Sequence, residues 1–415
     1  MKVLWFTNIP LLTTSGYNGG GWMYSLKDEL LKEKEIELGV AYYSDGIQPS
    51  EKINNCSYFH IKIDKRLRAK IKRKIFPKLI LEEHIKSYAK IIESFQPDVI
   101  HIFGTEMPFG LIANRTNIPV VIHIQCILNS YMNAYFPPGI NLRSFLKLNI
   151  REYFNQRKRY REYEIAAKRE LNILKICNNY MGRTNWDLAC LDTLSSDFNY
   201  YHIDETLRDG FYETSDSYEK KCGREVKIVS TLSDTMYKGV DIVIKTAEIL
   251  LMNKIQFNWD IIGNINKDNY FLVNHDLNRL RIKLRGVLDE GELIKTLNSS
   301  TIYIHPSYIE GSCNSVAEAQ MLGLPTIACD VGGVSYISQD MLTGMLIPAN
   351  DIHQLAYRIK LIHSDHKLYS SISKNGLAIA KQRHRKESIV IKVISAYRDM
   401  ILKKKKNLNA NKEDL

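Results

Sequence analysis

The 415-residue chain has no CxxC pair and no zinc-finger spacing, and its seven cysteines form an odd, dispersed set. That pattern argues against a disulfide framework or a metal site and for a reducing compartment. No apolar stretch approaches the ~20 residues that a membrane-spanning helix needs. The opening run Val3–Phe6 stops at Thr7-Asn8, too soon for the apolar core of a signal peptide, and reads as a first buried strand. Acids are almost missing from Lys62 to Lys78, where Asp64 stands alone among many bases; Arg143 to Lys175 and Lys403 to Lys406 are further base-rich stretches. No recognised nucleic-acid motif accompanies these runs, which sets nucleic acid aside as a partner. Anionic lipid or acidic glycan fits them better, beside the plain alternative of solvated helix faces. The expected location is cytoplasmic, with peripheral contact at the inner face of the cytoplasmic membrane.

What is present is ordinary for a soluble globular protein, with 45% hydrophobic and 25% charged residues and a formal net charge of +11. The length suggests two or three domains. Short apolar runs alternate with helical spacing: Val3 to Phe6, a helix over Trp22 to Lys34, Leu38 to Tyr43, a helix over Leu79 to Phe95, VIHIF at 99–103 and PVVIHIQ at 119–125. This alternation predicts a parallel sheet covered on both faces. Ligands then gather beyond the carboxyl ends of the strands, which brings forward Gly104, Thr105, Glu106 and Gln125. His101 and His123 sit two residues inside their strand ends, as core residues or as groups on the ligand side. Asn141 to Asn178 has helical spacing, with Phe145, Leu148, Ile150 and Tyr153 as an apolar stripe beside bases. That suits packing on the sheet or contact with anionic lipid. Polar Thr214 to Arg224 reads as a linker before a second α/β unit that begins at Val226. The predicted organisation is a first domain over 1–213, a linker over 214–224, a second domain over 225–386, and a last helix with a basic, disordered tail over 387–415.

The most informative stretch runs from His305 to Tyr336, HPSYIEGSCNSVAEAQMLGLPTIACDVGGVSY. A strand leads through a polar, glycine-containing loop into a helix over about Asn314 to Leu322, which Gly323 and Pro325 stop. Free backbone N–H groups and the positive end of the helix dipole favour an anion there. Glu310 and Glu318 would repel a bare phosphate, so they read as acceptors for hydroxyl groups of a sugar or ribose. A nucleotide-sugar is the simplest ligand that wants both. Lys238, just before another predicted helix start, is the choice for the diphosphate.

EGSCNSVAE followed by AQMLGLPTIACDVGG resembles the donor-site signature of retaining glycosyltransferases of family 4, the glycosyl transferases group 1 of bacterial surface-polysaccharide assembly. The resemblance covers the second half almost completely and the first half more loosely. It implies the GT-B architecture, two Rossmann-like domains facing across a cleft, with the last helix crossing back to the first domain. By position it implies that Glu310 contacts the donor sugar and Glu318 the ribose, with Gly311, Ser312, Cys313, Asn314 and Ser315 near the sugar and phosphates. Gly263, Arg285 and Val287 match positions near the phosphates and base, and Gly19 and Gly20 match a glycine pair in the first loop. Two departures stand out. Gln125 falls where the family carries a histidine facing the donor sugar, and glutamine cannot exchange a proton near neutral pH. Ser233 falls where an arginine usually precedes the lysine, which leaves room for another base such as Arg285.

The activity implied is a retaining transfer, hexosyl or N-acetylhexosaminyl, from a UDP-sugar to a hydroxyl of a glycan or lipid-linked oligosaccharide in capsule or lipopolysaccharide O-antigen synthesis. No carboxylate nucleophile emerges, so front-face substitution is expected, with Glu310, Lys238 and Gln125 at the reacting sugar and neither cofactor nor metal required. A nucleotide-sugar epimerase of the same architecture would need further acids and histidines. A non-catalytic, membrane-associated donor-binding scaffold would accommodate Gln125 and Ser233.

Overall fold

A computed structural model describes residues 1–12, 21–44, 51–53, 55–62, 77–214, 225–266 and 268–413. Gly19, Gly20 and most of the basic stretch from Lys62 to Lys78 lie outside these residues, as does nearly all of the expected linker.

Two sheets organise the chain. The first contains β1 (Lys2–Thr7), β2 (Glu37–Ser44), β3 (Glu51–Ile53), β4 (Cys56–Lys62), β5 (Val99–Phe103), β6 (Val120–His123), β7 (Asn179–Gly182) and β8 (Asn199–His202), in the order β3-β4-β2-β1-β5-β6-β7-β8. Its pairings are parallel apart from β3 with β4. The second contains β9 (Val226–Thr231), β10 (Phe257–Ile262), β11 (Ile282–Gly286), β12 (Ile302–His305), β13 (Thr326–Cys329) and β14 (Met345–Ile347), all parallel, in the order β11-β10-β9-β12-β13-β14. That is the 3-2-1-4-5-6 order of a doubly wound sheet, whose crevice opens where the order reverses, between β9 and β12. Near-continuous apolar runs such as VIHIF, buried at every position, are what a sheet covered on both faces demands.

The sequence boundaries shift in places, for identifiable reasons. The helix expected over 22–34 ends at Leu30, where the chain turns into β2. Asn141 to Asn178 is two segments: a 3-10 turn Leu142–Lys147, then a helix Ile150–Ile176 whose start Asn149 caps by accepting from the Glu152 N–H. The break rotates the faces, so Phe145 is buried while Ile150 points to solvent, and the four-residue stripe does not form. A helix Asp209–Thr214 precedes the expected linker, and Leu207 and Phe211 join the second domain's core beside Val229, Ile262 and Leu293. The chain therefore leaves the first domain before 213.

The last helix, Lys386–Glu413, runs through the lysines expected in a disordered tail. Its Ile389, Val393, Ile394, Tyr397 and Met400 are buried against Val3, Trp5 and Leu26 of the first domain. At about 2 kcal/mol for each fully buried large apolar side chain, this face fixes the helix to domain one.

Candidate active site

The crevice between β9 and β12 is a cavity of about 590 Å³, within the range that small ligands occupy. Thr231, Leu232 and Ser233 at the end of β9 and His305 at the end of β12 form its floor, while Gly21, Trp22 and Arg208 close it from the other side. Gly263 ends β10 with φ 127°, and a Cβ there would lie 1.9 Å from the Leu232 carbonyl oxygen. Only glycine lets these two strand-end loops meet.

The helix Asn314–Met321 starts in the cavity. Its N-cap, Cys313, makes no side-chain capping bond, and Cys313, Asn314 and Ser315 all line the space. An uncapped start presents unpaired N–H groups and the positive end of the dipole to whatever enters. Lys238 and Arg208 line the same cavity.

Both acids of the motif are buried and paired. Lys238 Nζ lies 2.6 Å from Glu310 Oε2, and His305 Nε2 lies 3.0 Å from the same oxygen. Burial by itself would raise the Glu310 carboxyl, but Lys238 and His305 outweigh it and hold it at about 2. Burial depresses His305, so its ring is neutral near pH 7 and donates from Nε2–H. Arg208 donates to Glu318 Oε1 through Nε at 2.9 Å. There burial wins, and the Glu318 carboxyl is raised despite the guanidinium. The two carboxylates are thus shifted in opposite directions, Glu310 down and Glu318 up.

His305, Glu310 and Cys313 bring donor atoms within 4.8 Å of one another. The set suits a metal poorly. The carboxylate oxygen already faces an ammonium, and burial followed by the Glu310 charge pushes the Cys313 thiol up, away from the thiolate a metal prefers.

Of the residues singled out from sequence, Lys238, Gly263, Val287, Glu310, Glu318 and the 312–315 loop meet at this cavity. Gly311, between the lining residues Glu310 and Ser312, lies so close to the first domain that a Cβ would sit 2.9 Å from the Gln125 carbonyl oxygen. The other candidates among the described residues are elsewhere. Arg285 pairs with Asp260 at 3.3 Å along the neighbouring strand and lines a separate groove. The side chain of Gln125 folds back on the His123 carbonyl, 3.4 Å away. Glu106 is turned inward to Cys126, whose thiol donates to Oε1 at 3.3 Å. His101 is core: its Nδ1 meets the Tyr397 hydroxyl and its Nε2 lies 3.2 Å from His123 Nδ1. His123 is equally buried, one ring behind Trp22, with centroids 5.1 Å apart.

Arg208, His305 and Tyr131 were not singled out from sequence. His305 opens the motif itself and offered a signal. Arg208 and Tyr131 reach Glu318 and Glu310 across 110 and 179 positions of chain, beyond any local pattern.

Residues 217–378 match the family model described as glycosyl transferases group 1. The similarity to that family lies in the second half of this chain. This chain is 24% identical over 145 residues to the capsular polysaccharide biosynthesis glycosyltransferase CapM of Staphylococcus aureus, covering 34% of this chain and 37% of that protein. It is 27% identical over 161 residues to the UDP-Gal:alpha-D-GlcNAc-diphosphoundecaprenol alpha-1,3-galactosyltransferase of Escherichia coli, covering 37% of this chain and 36% of that one. The matched region thus spans little more than a third of the length of these relatives. In structure the whole chain is similar to sucrose-phosphate synthase from Thermosynechococcus elongatus, with a TM-score of 0.72 at 15% identity over 97% of this chain and 99% of that one. That likeness is one of fold, and the architecture is GT-B.

Proposed function

We propose that the protein is a retaining glycosyltransferase that moves a sugar from a UDP-sugar to a hydroxyl of a glycan or lipid-linked oligosaccharide in surface-polysaccharide synthesis. The observation that carries this reading is the uncapped helix start at Cys313, set between two cations and two carboxylates in one cavity. The diphosphate lies on the helix start, with Lys238 and Arg208 neutralising it. Arg208 takes the part offered above to Arg285 and compensates for Ser233. Glu310 accepts hydroxyls of the donor sugar and Glu318 those of the ribose.

In the transfer, the acceptor oxygen forms a bond to the anomeric carbon on the face the diphosphate leaves. The carbon–phosphate-oxygen bond breaks, and the acceptor's proton passes to the departing phosphate oxygen. Glu310, held ionised and already engaged by Lys238 and His305, serves binding rather than nucleophilic attack. The Lys238–Glu310 arrangement supports chemistry over a purely non-catalytic scaffold, because it keeps a fixed ammonium where a leaving group would develop charge. Glu310→Gln is expected to leave the protein folded and UDP bound while transfer falls at least about a hundredfold, as when an oriented active-site group is lost. Retained transfer would remove Glu310 from its role.

A lipid-linked acceptor fits one exposed stripe on the helix Ile150–Ile176. Ile150, Phe154 and Ile165 are 60%, 55% and 54% exposed, and exposed Arg151, Lys158 and Arg161 share their face. Apolar and basic side chains alternating along one helix face suit the headgroup layer of an anionic bilayer. No helix among the described residues is long and apolar enough to cross a membrane.

A further inference from the structure

The three contacts of Glu310 are unequal. Oε2 receives Lys238 at 2.6 Å and His305 at 3.0 Å. Oε1 has the Tyr131 hydroxyl at 3.5 Å, the longest of the three. The same hydroxyl oxygen accepts the Gly311 N–H at 2.8 Å. Tyr131 comes from the first domain, on the short helix Leu128–Asn133 that follows β6. It is buried, and its ring packs edge-on against Tyr237 of the second domain at 5.2 Å. On this side the domains touch so closely that the Gln125 carbonyl leaves no space for a side chain at position 311.

An oxygen that accepts from a backbone amide and donates to a carboxylate makes the pair of bonds that a sugar hydroxyl would make there. We propose that Tyr131 takes the place of a donor-sugar hydroxyl at Glu310 and Gly311 and is displaced when the donor binds, an inference that rests on the glycosyltransferase reading above. Glu310 Oε2 is committed to two close charged or polar partners, so Oε1 and the Gly311 N–H are the groups a sugar can take over. Tyr131 therefore competes with the sugar and not with the nucleotide. It lowers the affinity for every donor by the same internal bonds, and it keeps two buried polar groups satisfied while the site is empty.

The test is calorimetric titration of the full chain and of Tyr131→Phe with UDP, UDP-glucose, UDP-galactose and UDP-N-acetylglucosamine. Phenylalanine keeps the packing on Tyr237 and deletes the competitor, leaving the Gly311 N–H unpaired only in the empty site. Tyr131→Phe is expected to bind the preferred UDP-sugar about tenfold more tightly, the worth of two modest hydrogen bonds, with UDP affinity unchanged. Tyr131→Met, which fills the space without a ring, is expected to shift affinity in the same direction. Equal or weaker binding of all three UDP-sugars by both variants, with UDP still bound, overturns the proposal. A wild-type chain that binds neither UDP nor any of the sugars fails the glycosyltransferase reading itself.

Discussion

Arg208 and Glu318 are 110 positions apart in sequence, yet two nitrogens of the guanidinium lie 2.9 and 2.8 Å from one carboxylate oxygen. Both side chains are nearly buried, so removing one partner strands a charge. Arg208→Gln is expected to cost about 3 kcal/mol of stability and to weaken UDP binding about tenfold through the lost phosphate contact. The double variant with Glu318→Gln should recover most of the stability and none of the UDP affinity. Chemical denaturation and UDP titration of the three proteins separate the two effects. A double variant that regains full UDP affinity would remove Arg208 from the diphosphate.

Stability is expected to fall on the acid side. Burial holds His101 at about 3, far below its ordinary value of 6.5. An unfolded chain takes up the proton below pH 6.5, while the folded one declines it until about pH 3. This contribution is fully present above pH 6.5 and is lost as pH falls through that window. Between pH 6.5 and 5 the loss from His101 alone is about 2 kcal/mol. Urea midpoints at the two pH values, in the wild type and in His101→Asn, measure it; the variant should show a smaller drop.

Gly263→Ala places a methyl 1.9 Å from a backbone oxygen at φ 127°. Because the obstacle is backbone, the strand-end loop itself must move. The melting temperature is expected to drop by several degrees, on the order of 2 kcal/mol, and UDP binding to weaken along with it. Scanning calorimetry with and without UDP reads both.

Replacing Ile150, Phe154 and Ile165 together with serine should abolish flotation with vesicles containing phosphatidylglycerol, leaving UDP affinity and melting temperature as they were. Replacing Arg151, Lys158 and Arg161 with glutamine should do the same and flatten the dependence on salt. Unaltered flotation of either variant would free this stripe from the membrane.

Much of the second domain was legible because its signals are local. The strand expected over Thr301 to Ile304 and found at Ile302–His305, the helix start at Asn314 and the stop at Gly323-Leu324-Pro325 lie within a few residues of their causes, and VIHIF matches β5 residue for residue. The Glu310–Glu318 spacing put both acids on the one loop and helix that face the cavity. His101 and His123 were ambiguous because strand alternation fixes which side chains share a face, not which helix covers it. Tyr397, 296 positions from His101, made that face core. Arg285 misled for a similar reason, since its partner Asp260 stands on the neighbouring strand. Residues that close the site from the first domain depend on how two domains meet, and no periodicity encodes that.

Because the last helix returns to domain one, the chain passes between the domains twice, around Leu207 and again near His384. The two passages are tied side by side, with His384 Nδ1 2.6 Å from the Glu205 carbonyl oxygen. Two adjacent tethers resist twisting and sliding far better than a single one would. They leave one soft motion, a jaw-like rotation about the line joining them. The cleft thus has a built-in hinge axis at its base, and rotation about it changes how Tyr131 and Gln125 meet the opposite wall.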